Sequence, residues 1–486
     1  MPNKSSWTRM TGAVVAAASV WAAAAVPAKA ADQVTYSKDI VPIMQRSCQR
    51  CHNPNSVAPM SLLTYAQVRP FAKEIKRRTA LKYAAWSRGV MPPWFLESDL
   101  GIQHMKDDIS LSDEEIAKIA KWADAGAPEG NPSDAPPPLK FQDATTWTLG
   151  KPDLIVSSPT VYVGAVAADW GGSLGKSLIG VTEDRYAISA EFKEQSDLKT
   201  AGGGIGGRFV FHHAAVGIIG PATAGGAGAF GARLPIHEVG RNGDVFPDDA
   251  GKLLPGNGFF TWESIHVHAA GTPGTERYAH LDIGLRLHPV GYQPKAQLRD
   301  YNFGRTEIQI DPLTSNERED AYFIAPAPMK LVNFEPHLHA TGVRMCLQAI
   351  YGRVAETLNC AGYDHNWVRN YQYEEGYEPL IPRGTILHAI AWSDNTPKNQ
   401  NVVEPRNLST FGNSSVSNMF IVFNQAEFLT DDQYSEEVQK RKEFLALTKE
   451  ENIGCPACYL PPAPKRQAPR AAVDGAPDPS VVVAQK

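Results

Sequence analysis

The chain has 486 residues, of which 43% are hydrophobic and 20% charged, and its formal net charge is -5 at pH 7. At roughly 100–200 residues per domain, this length predicts two or three domains, and the composition is that of a globular protein. The sequence contains no basic patch or nucleic-acid-binding motif, so nucleic acid is excluded as an expected partner. The 40 glycines and 37 prolines favour turn-rich β structure over long helices.

The first 30 residues have the organisation of a secretory signal peptide. Lys4 and Arg9 form a basic start, an apolar run covers Gly12 to Val26, and Ala28-Lys29-Ala30 supplies a small-x-small cleavage sequence. We predict export to the periplasm with cleavage near Ala30. A membrane anchor is the alternative, but the run is shorter than the about 20 residues that a spanning helix needs. No membrane insertion is expected after cleavage.

Residues 31–130 are predicted to form a small all-α domain. Ser112 to Glu115 has the spacing of a capping box, apolar residues then recur at helical spacing, and Gly126 and Pro128 end the helix. Residues 131–150, which include a run of three prolines, are predicted to be a linker.

Within this domain, Cys48-Gln49-Arg50-Cys51-His52 is a C-x-x-C-H motif. Two thiols at this spacing can bond the two vinyl groups of one haem, and the adjacent imidazole can then bind the iron. We predict one covalent haem c. A disulfide between Cys48 and Cys51 is the alternative.

The sixth iron ligand is predicted to be Met91, because a thioether favours reduced iron. The competitors are Met60, His104 and Met105. Segment 36–130 resembles a group of bacterial cytochrome c domains that carry a similar Met-Pro-Pro-Trp sequence, here beginning at Met91, and a closing Trp-x-x-x-Gly-x-Pro.

After residue 150, short β-rich runs alternate with glycine and proline turns, which predicts antiparallel sandwiches. About 300 residues is long for one sandwich, so two are expected, over 151–295 and 296–430. A charged helix is predicted from Asp431 to Lys449, within a terminal segment 431–460 that also holds a C-x-x-C sequence. Residues 461–486 are rich in proline and alanine and are predicted to be disordered.

Three pairs of histidines are concentrated in the β region: His212-His213, His266-Val267-His268 and His337-Leu338-His339. Residues two apart on a strand point to one face, so each H-x-H pair can present two imidazoles to one metal. Adjacent histidines point to opposite faces, so His212-His213 requires a bulge or a twist to bind one ion. Imidazole suits copper, zinc and iron alike, and spacing alone leaves the metal open.

The order of these motifs resembles the copper type II monooxygenase family of peptidylglycine α-hydroxylating and dopamine β-monooxygenases. The resemblance covers about residues 150–430, and it also includes a Gly-x-x-Ser-x-x-x-Met element from Gly412 to Met419. Pro382-Arg383-Gly384-Thr385 and Asp394-Asn395-Thr396 are similar to sequences in bacterial relatives.

The resemblance implies two antiparallel β-sandwich (jelly-roll) subdomains with two copper centres. The first copper stores electrons, and the second binds dioxygen. The resemblance implies His212, His213 and His268 as ligands of the first copper. It implies His337, His339 and Met419 as ligands of the second, catalytic copper. His268 is preferred over His266, which could replace or join it.

Two departures from the family pattern bear on this expectation. Family members carry Asp-Glu before the methionine, where this chain has Ser417-Asn418. The peptide-amidating enzyme has an arginine that holds the substrate carboxylate, and Glu335 occupies that position here. Because a carboxylate repels a carboxylate, a peptide substrate is not expected.

The remaining cysteines form two candidate disulfides, which an exported protein permits. Cys346 and Cys360 flank a predicted hairpin and are expected to pair. Cys455 and Cys458 are expected to form a structural disulfide; a redox motif is the alternative. Glycines 202–207 fit G-x-G-x-x-G in spelling, but no helical pattern follows, so a loop is predicted instead of a dinucleotide site.

These features together predict a multidomain periplasmic copper monooxygenase that hydroxylates a small organic substrate with O2. The haem is expected to pass electrons from a periplasmic donor to the first copper. A non-catalytic haem–copper electron-transfer or copper-binding protein is the alternative.

Overall fold

Within the described residues, the protein consists mainly of β-strands in antiparallel sheets, with a few short helices. The computed structural model describes residues 33–54, 56, 58, 60–82, 89–141, 146–165, 170–197, 210–221, 232–238, 243–267, 276–412, 416–445 and 452–459. The predicted signal peptide, the loop at 202–207 and the tail 461–486 lie outside these residues, as does His268.

The short helices precede the sheets, except for one near the end of the chain. They are α1 (Val41–Ser47), α2 (Tyr65–Val68), α3 (Ala72–Thr79), α4 (Asp113–Asp124) and α5 (Asp431–Phe444), with single turns of π- or 3₁₀-helix at Tyr36–Ile40, Arg69–Phe71, Pro132–Asp134 and Pro456–Cys458. No helix among the described residues is long and apolar enough to cross a membrane.

The helix that the capping box predicts is confirmed as α4. The Ser112 side chain accepts from the Glu115 N–H, and the Glu115 side chain accepts from the Ser112 N–H. Helices α1 to α4 share a core in which Ile40, Met44 and Trp122 are fully buried. The predicted charged helix is confirmed as α5, but it ends at Phe444, earlier than predicted.

The first β unit contains eleven described strands in two antiparallel sheets. One sheet has the order β1-β11-β5-β8, with β2 on β11 and β9 on β5; the other has the order β3-β10-β6-β7, with β4 on β10. Side chains from both sheets meet in one buried core. The strands are β1 (Leu154–Ser157), β2 (Val161–Val163), β3 (Trp170–Gly172), β4 (Gly175–Leu178), β5 (Arg185–Ser196), β6 (Phe211–Ile219), β7 (His237–Glu238), β8 (Gly243–Val245), β9 (Lys252–Leu254), β10 (Phe259–Val267) and β11 (Arg277–Leu287).

The second β unit contains the remaining described strands. Its longest sheet has the order β15-β23-β19-β20, and a short sheet, β13-β25-β18, carries the His337 motif. The strands are β12 (Gln297–Asp300), β13 (Phe303–Arg305), β14 (Gln309–Ile310), β15 (Ser315–Ile324), β16 (Met329–Leu331), β17 (Asn333–Phe334), β18 (Pro336–Leu338), β19 (Gly342–Tyr351), β20 (Val354–Gly362), β21 (Tyr371–Gln372), β22 (Leu380–Ile381), β23 (Ile386–Asp394), β24 (Ser409–Thr410), β25 (Phe420–Val422) and β26 (Gln425–Phe428).

The predicted disulfides are both present. Cys346 and Cys360 face each other across the antiparallel β19–β20 hairpin and are bonded. The turn of that hairpin contains Gly352, whose φ of +61° is in the left-handed region that favours glycine. Cys455 and Cys458 are also bonded, and both are buried against α5 and β22.

One segment of the predicted helical domain packs on the second β unit, which the sequence analysis did not anticipate. Residues 93–106, the docking segment, follow the edge of β20: Leu96 bridges to Ala361, and the Ile102 N–H donates to the Leu358 carbonyl. Leu96, Ile102 and Met105 are part of the second unit's core. The docking segment therefore covers a strand edge that would otherwise be unpaired.

Candidate metal centre and haem motif

The pairing of β6 with β10 brings the first two histidine motifs together. His213 lies opposite His266, and the next pair in the ladder is Phe211 with Val267, so His212 is the extra residue of a β-bulge. A bulge re-aims side chains next to it. This is the irregularity that adjacent histidines need if both are to bind one ion.

The two rings of the first motif are arranged like two ligands of one ion. The Nδ1 atoms of His212 and His213 are 3.2 Å apart. Two nitrogens at about 2.0–2.1 Å from one metal, with an angle between 90° and 110°, are separated by about 3 Å. His212 Nε2 lies 3.0 Å from the backbone carbonyl of Asn366. Metal-binding histidines commonly donate their second N–H to such a carbonyl, and this leaves Nδ1 of His212 as the donor atom for a metal.

The third motif lies on β18, in the second β unit. The register of β18 with β25 places His337 opposite Ile421 and Leu338 opposite Phe420. Continuing that register by one residue places His339 opposite Met419. His337 and His339 expose 6% and 5% of their surface, and Met419 exposes 6%. The ring centroids of the two histidines are 5.3 Å apart. The register therefore places the three predicted ligands of the catalytic copper at the adjoining ends of two paired strands.

The two histidine groups adjoin each other at the contact between the β units. The ring centroids of His213 and His337 are 6.5 Å apart, and the rings of His213 and His266 are stacked at 4.0 Å. Burial, together with the neighbouring imidazoles, lowers the pKa of both His213 and His337 well below the ordinary value. His365 is close enough to contribute to both shifts. The group His212, His213, His266, His337, His339 and His365 is called the histidine cluster below.

A buried arginine borders the cluster. Arg233 comes from the first β unit, and its guanidinium lies over the Phe423 ring at 3.6 Å and 3.7 Å from the Glu335 carboxylate. Burial is the main cause of the lowered pKa of His337, to which Arg233 also contributes. Glu335 is thus paired with a cation, so its charge at this site is partly neutralised by a residue from the other β unit.

The donor chemistry of the cluster fits copper. Neutral imidazoles and a thioether are ligands that copper accepts in both of its common oxidation states. Nδ1 of His337 is buried and has no hydrogen-bond partner among the described residues, as expected for an atom kept for a metal. The rings are not preset for it, since no three His, Cys, Asp or Glu side chains of the described residues are already arranged around one metal position. Loading requires ring rotations.

The haem motif follows α1. Cys48 and Cys51 are both free and partly accessible thiols, so the alternative disulfide between them is not formed in this structure. Nδ1 of His52 is 3.1 Å from the Met60 carbonyl oxygen. This contact assigns the ring proton to Nδ1 and leaves Nε2 able to bind iron. The three side chains thus have the chemistry that covalent haem attachment requires.

The structure bears on the competitors for the sixth iron ligand. Met105 is 2% exposed and belongs to the core of the second β unit, and His104 stacks on Tyr377 at 3.5 Å. Both are therefore engaged on the docking segment. Met91 is half-buried two residues before that segment, and Met60 remains next to the motif.

No protein-family model and no curated protein matches this chain. Among solved structures, the empty top component of cowpea mosaic virus is 10% identical and aligns with 60% of this chain and 94% of its own, with a TM-score of 0.28. The VP2 subviral particle of infectious bursal disease virus is 12% identical over 60% of this chain and 75% of its own, with a TM-score of 0.16. These TM-scores are too low to support an argument about fold or function.

The structure thus brings together the four predicted histidine ligands that it describes, His212, His213, His337 and His339. His268, which was preferred over His266, lies outside the described residues, whereas His266 is in the cluster. Sequence reasoning missed Arg233, because an isolated arginine beside glycine-rich sequence carries no local signal. His365 stands outside the three histidine motifs, and its place in the cluster depends on a loop whose path no periodicity predicts.

Proposed function

We propose that this chain is a periplasmic copper-dependent monooxygenase that hydroxylates a C–H bond of a small organic substrate with O2. Electrons would come from a periplasmic donor through one covalent haem c in an N-terminal cytochrome domain. The observation that carries the proposal is the histidine cluster, which three separate motifs from two β units build beside Met419.

The residues of the cluster divide into two ligand sets. His212 and His213 would hold the first copper, since their Nδ1 atoms lie 3.2 Å apart at the bulge. His266 or His268 would be the third ligand. His337, His339 and Met419 would hold the second. A thioether stabilises cuprous copper, and this is the state that reacts with dioxygen. The two antiparallel units would then be the two jelly-roll subdomains of the family that the motifs resemble.

Bound copper would supply the reduction of O2 and the removal of a hydrogen atom from the substrate, with one oxygen atom leaving as product hydroxyl and the other as water. The protein supplies neutral imidazoles, because burial holds the pKa of His213 and His337 below the physiological range. These ligands therefore need not lose a proton to bind copper at neutral pH. The Asn366 carbonyl fixes the orientation of the His212 ring.

Two features support the proposed compartment and the haem. Both disulfides are buried structural links, which persist in an oxidising compartment such as the periplasm. The free thiols of Cys48 and Cys51, with the His52 ring oriented by Met60, suit covalent attachment and axial ligation.

The alternative is a haem–copper protein that transfers electrons or stores copper without catalysis. The burial of the cluster favours it, since His266, His337 and His339 each expose 6% of their surface or less, which leaves little open surface for a substrate. Oxygen consumption matched by a hydroxylated product would separate the two functions.

The first test is the copper and iron content of the purified mature protein. Wild type is expected to bind two coppers per haem, and His337→Ala about one. The control is His388→Ala, which removes a buried histidine of the same β unit that is hydrogen-bonded to Asp320 at 2.6 Å. Its copper content should stay at two. Absence of copper after reconstitution, or equal loss in both variants, would contradict the proposal.

A further inference from the structure

The loop between β20 and β21 contacts the histidine cluster at one end and the docking segment at the other. This loop, residues 364–370, is called the bridging loop. At one end, the Asn366 carbonyl lies 3.0 Å from Nε2 of His212, and the neighbouring His365 approaches the cluster. At the other end, Arg369 donates to the Pro93 carbonyl at 2.7 Å. The sequence motifs described above do not account for a loop that contacts both of these regions.

The Arg369 end of the loop contacts the chain next to Met91, the predicted sixth iron ligand. Pro93, whose carbonyl accepts from Arg369, is two residues after Met91. An ion pair also links the haem motif to this region, because Arg50, inside the C-x-x-C-H sequence, lies 3.4 Å from Asp107, the residue after the docking segment. The haem motif thus contacts the chain next to the segment that packs on the second β unit.

The joint around Arg369 is well packed. Trp94, in the Met-Pro-Pro-Trp sequence, contacts the Tyr371 ring edge-on at 5.0 Å, and the Phe95 N–H donates to the Tyr371 hydroxyl oxygen at 3.2 Å. A hydrogen-bonded set fixes the loop itself, with Asn366 donating to Asp364 at 2.8 Å and to Asn401 at 3.0 Å. The loop is therefore held at both ends and in its middle.

We propose that the bridging loop is the electron path from the haem to the first copper. This inference rests on the proposed function, because it needs both metals. In the step, ferrous haem iron loses one electron and becomes ferric, and cupric copper at His212 gains it and becomes cuprous. No bond or proton is exchanged. From Asn366 to Arg369 the backbone spans at most about 11 Å, and tunnelling through so short a covalent path outpaces longer routes through solvent.

Arg369 is a positioning residue in this proposal, since it holds the docking segment, which follows Met91, against the loop. Arg369→Ala removes that hydrogen bond, whereas Arg369→Lys keeps the charge. The matched control is Arg383→Ala, because Arg383 also donates to a proline carbonyl, that of Pro326, at 2.8 Å. Tyr371→Phe, which keeps the ring and removes the acceptor of the Phe95 N–H, is a second variant of the same joint.

The experiment uses the full-length mature protein with haem and copper bound, without oxygen or substrate. A light pulse with a flavin photoreductant reduces the haem, and its α-band reports re-oxidation as the electron reaches copper. Copper content and the cupric EPR spectrum are recorded for every variant, to establish that the copper site is unchanged. Copper-free protein gives the background rate.

We expect the first-order re-oxidation rate to fall by about tenfold in Arg369→Ala, which is equivalent to about 1.4 kcal/mol. Arg369→Lys should recover part of the rate, Tyr371→Phe should also be slower, and Arg383→Ala should equal wild type. A wild-type rate in both Arg369→Ala and Tyr371→Phe, with copper and EPR unchanged, would overturn the path while leaving the monooxygenase proposal in place. A wild type that binds no copper would overturn both.

Discussion

The histidine cluster predicts a specific acid sensitivity of the copper-free protein. Burial and neighbouring imidazoles lower the pKa of His213 and His337 well below 6.5. As pH falls, the unfolded chain therefore binds protons at these residues before the folded chain does. Their contribution to stability is present above pH 6.5 and is lost as pH falls towards the folded pKa.

The magnitude follows from proton linkage. An imidazole that stays neutral in the folded protein lowers the free energy of unfolding by about 1.4 kcal/mol at about pH 5.5. At about pH 7.5 the reduction is less than about 0.1 kcal/mol. Two such residues therefore reduce the free energy of unfolding by about 2.7 kcal/mol as the pH falls between these values. Urea unfolding of copper-free wild type and of His213→Gln/His337→Gln, at both pH values, measures the difference.

As the pH falls over this interval, the free energy of unfolding of the double variant should decrease by about 2.7 kcal/mol less than that of wild type. This difference is independent of the absolute stability of the variant. His104→Gln is the control, because the side chain of that histidine is 51% exposed on the surface. An equal loss in wild type and the double variant would refute the reasoning. It would mean that the two rings are open to water or can be protonated in the fold.

Three further outcomes are expected. Burial, opposed by the ion pair with Lys330, raises the pKa of Glu427 to about 7, so its stabilising contribution is full below about pH 4.5 and lost as pH rises through 7. As the pH rises between these values, the free energy of unfolding of wild type, measured with urea, should decrease by up to about 3 kcal/mol relative to that of Glu427→Gln. Replacing Cys346 and Cys360 by alanine opens a loop with a sequence separation of 14 and should cost about 3 kcal/mol in thermal unfolding. Arg344→Gln removes the charge-assisted bonds to the docking segment and should weaken docking by about 1.5–3 kcal/mol, seen as faster limited proteolysis near residues 83–110.

Each of these outcomes has a contrasting case. Replacing Cys455 and Cys458, whose sequence separation is 3, should cost only about 2 kcal/mol, because the loop that they close is shorter. Arg406→Gln, at an arginine whose side chain is 77% exposed, should leave proteolysis of the docking segment unchanged. If the free energy of unfolding changed equally with pH in wild type and in Glu427→Gln, the Glu427 carboxyl would be hydrated in the folded protein.

Local features of the sequence predicted much of the secondary structure. Ser112 and Glu115 form the capping box because both partners lie within one helical turn, and such a contact needs no tertiary packing. The Cys346–Cys360 pair follows from a short hairpin around Gly352, so its register is set locally. The spacing of the histidine motifs predicted a metal site without naming the metal, and copper remains a prediction from the resemblance of their order to a copper family.

Other features depend on contacts between distant parts of the chain. The bulge at His212 exists only in the ladder with β10, and Arg233 meets Glu335 only where the two β units touch. The docking segment leaves the helical region to cover β20, because an unpaired strand edge and a buried core offer it more contacts than its own neighbours do.

The sequence by itself determined which groups can bind haem and copper, because thiols, imidazoles and thioether are set by residue type and their spacing by covalent geometry. Only the tertiary structure decided that three histidine motifs form one cluster and that the bridging loop joins this cluster to the docking segment. The physical reason is that periodicity determines which face of a strand a side chain occupies, whereas the partner of that face is chosen by long-range packing.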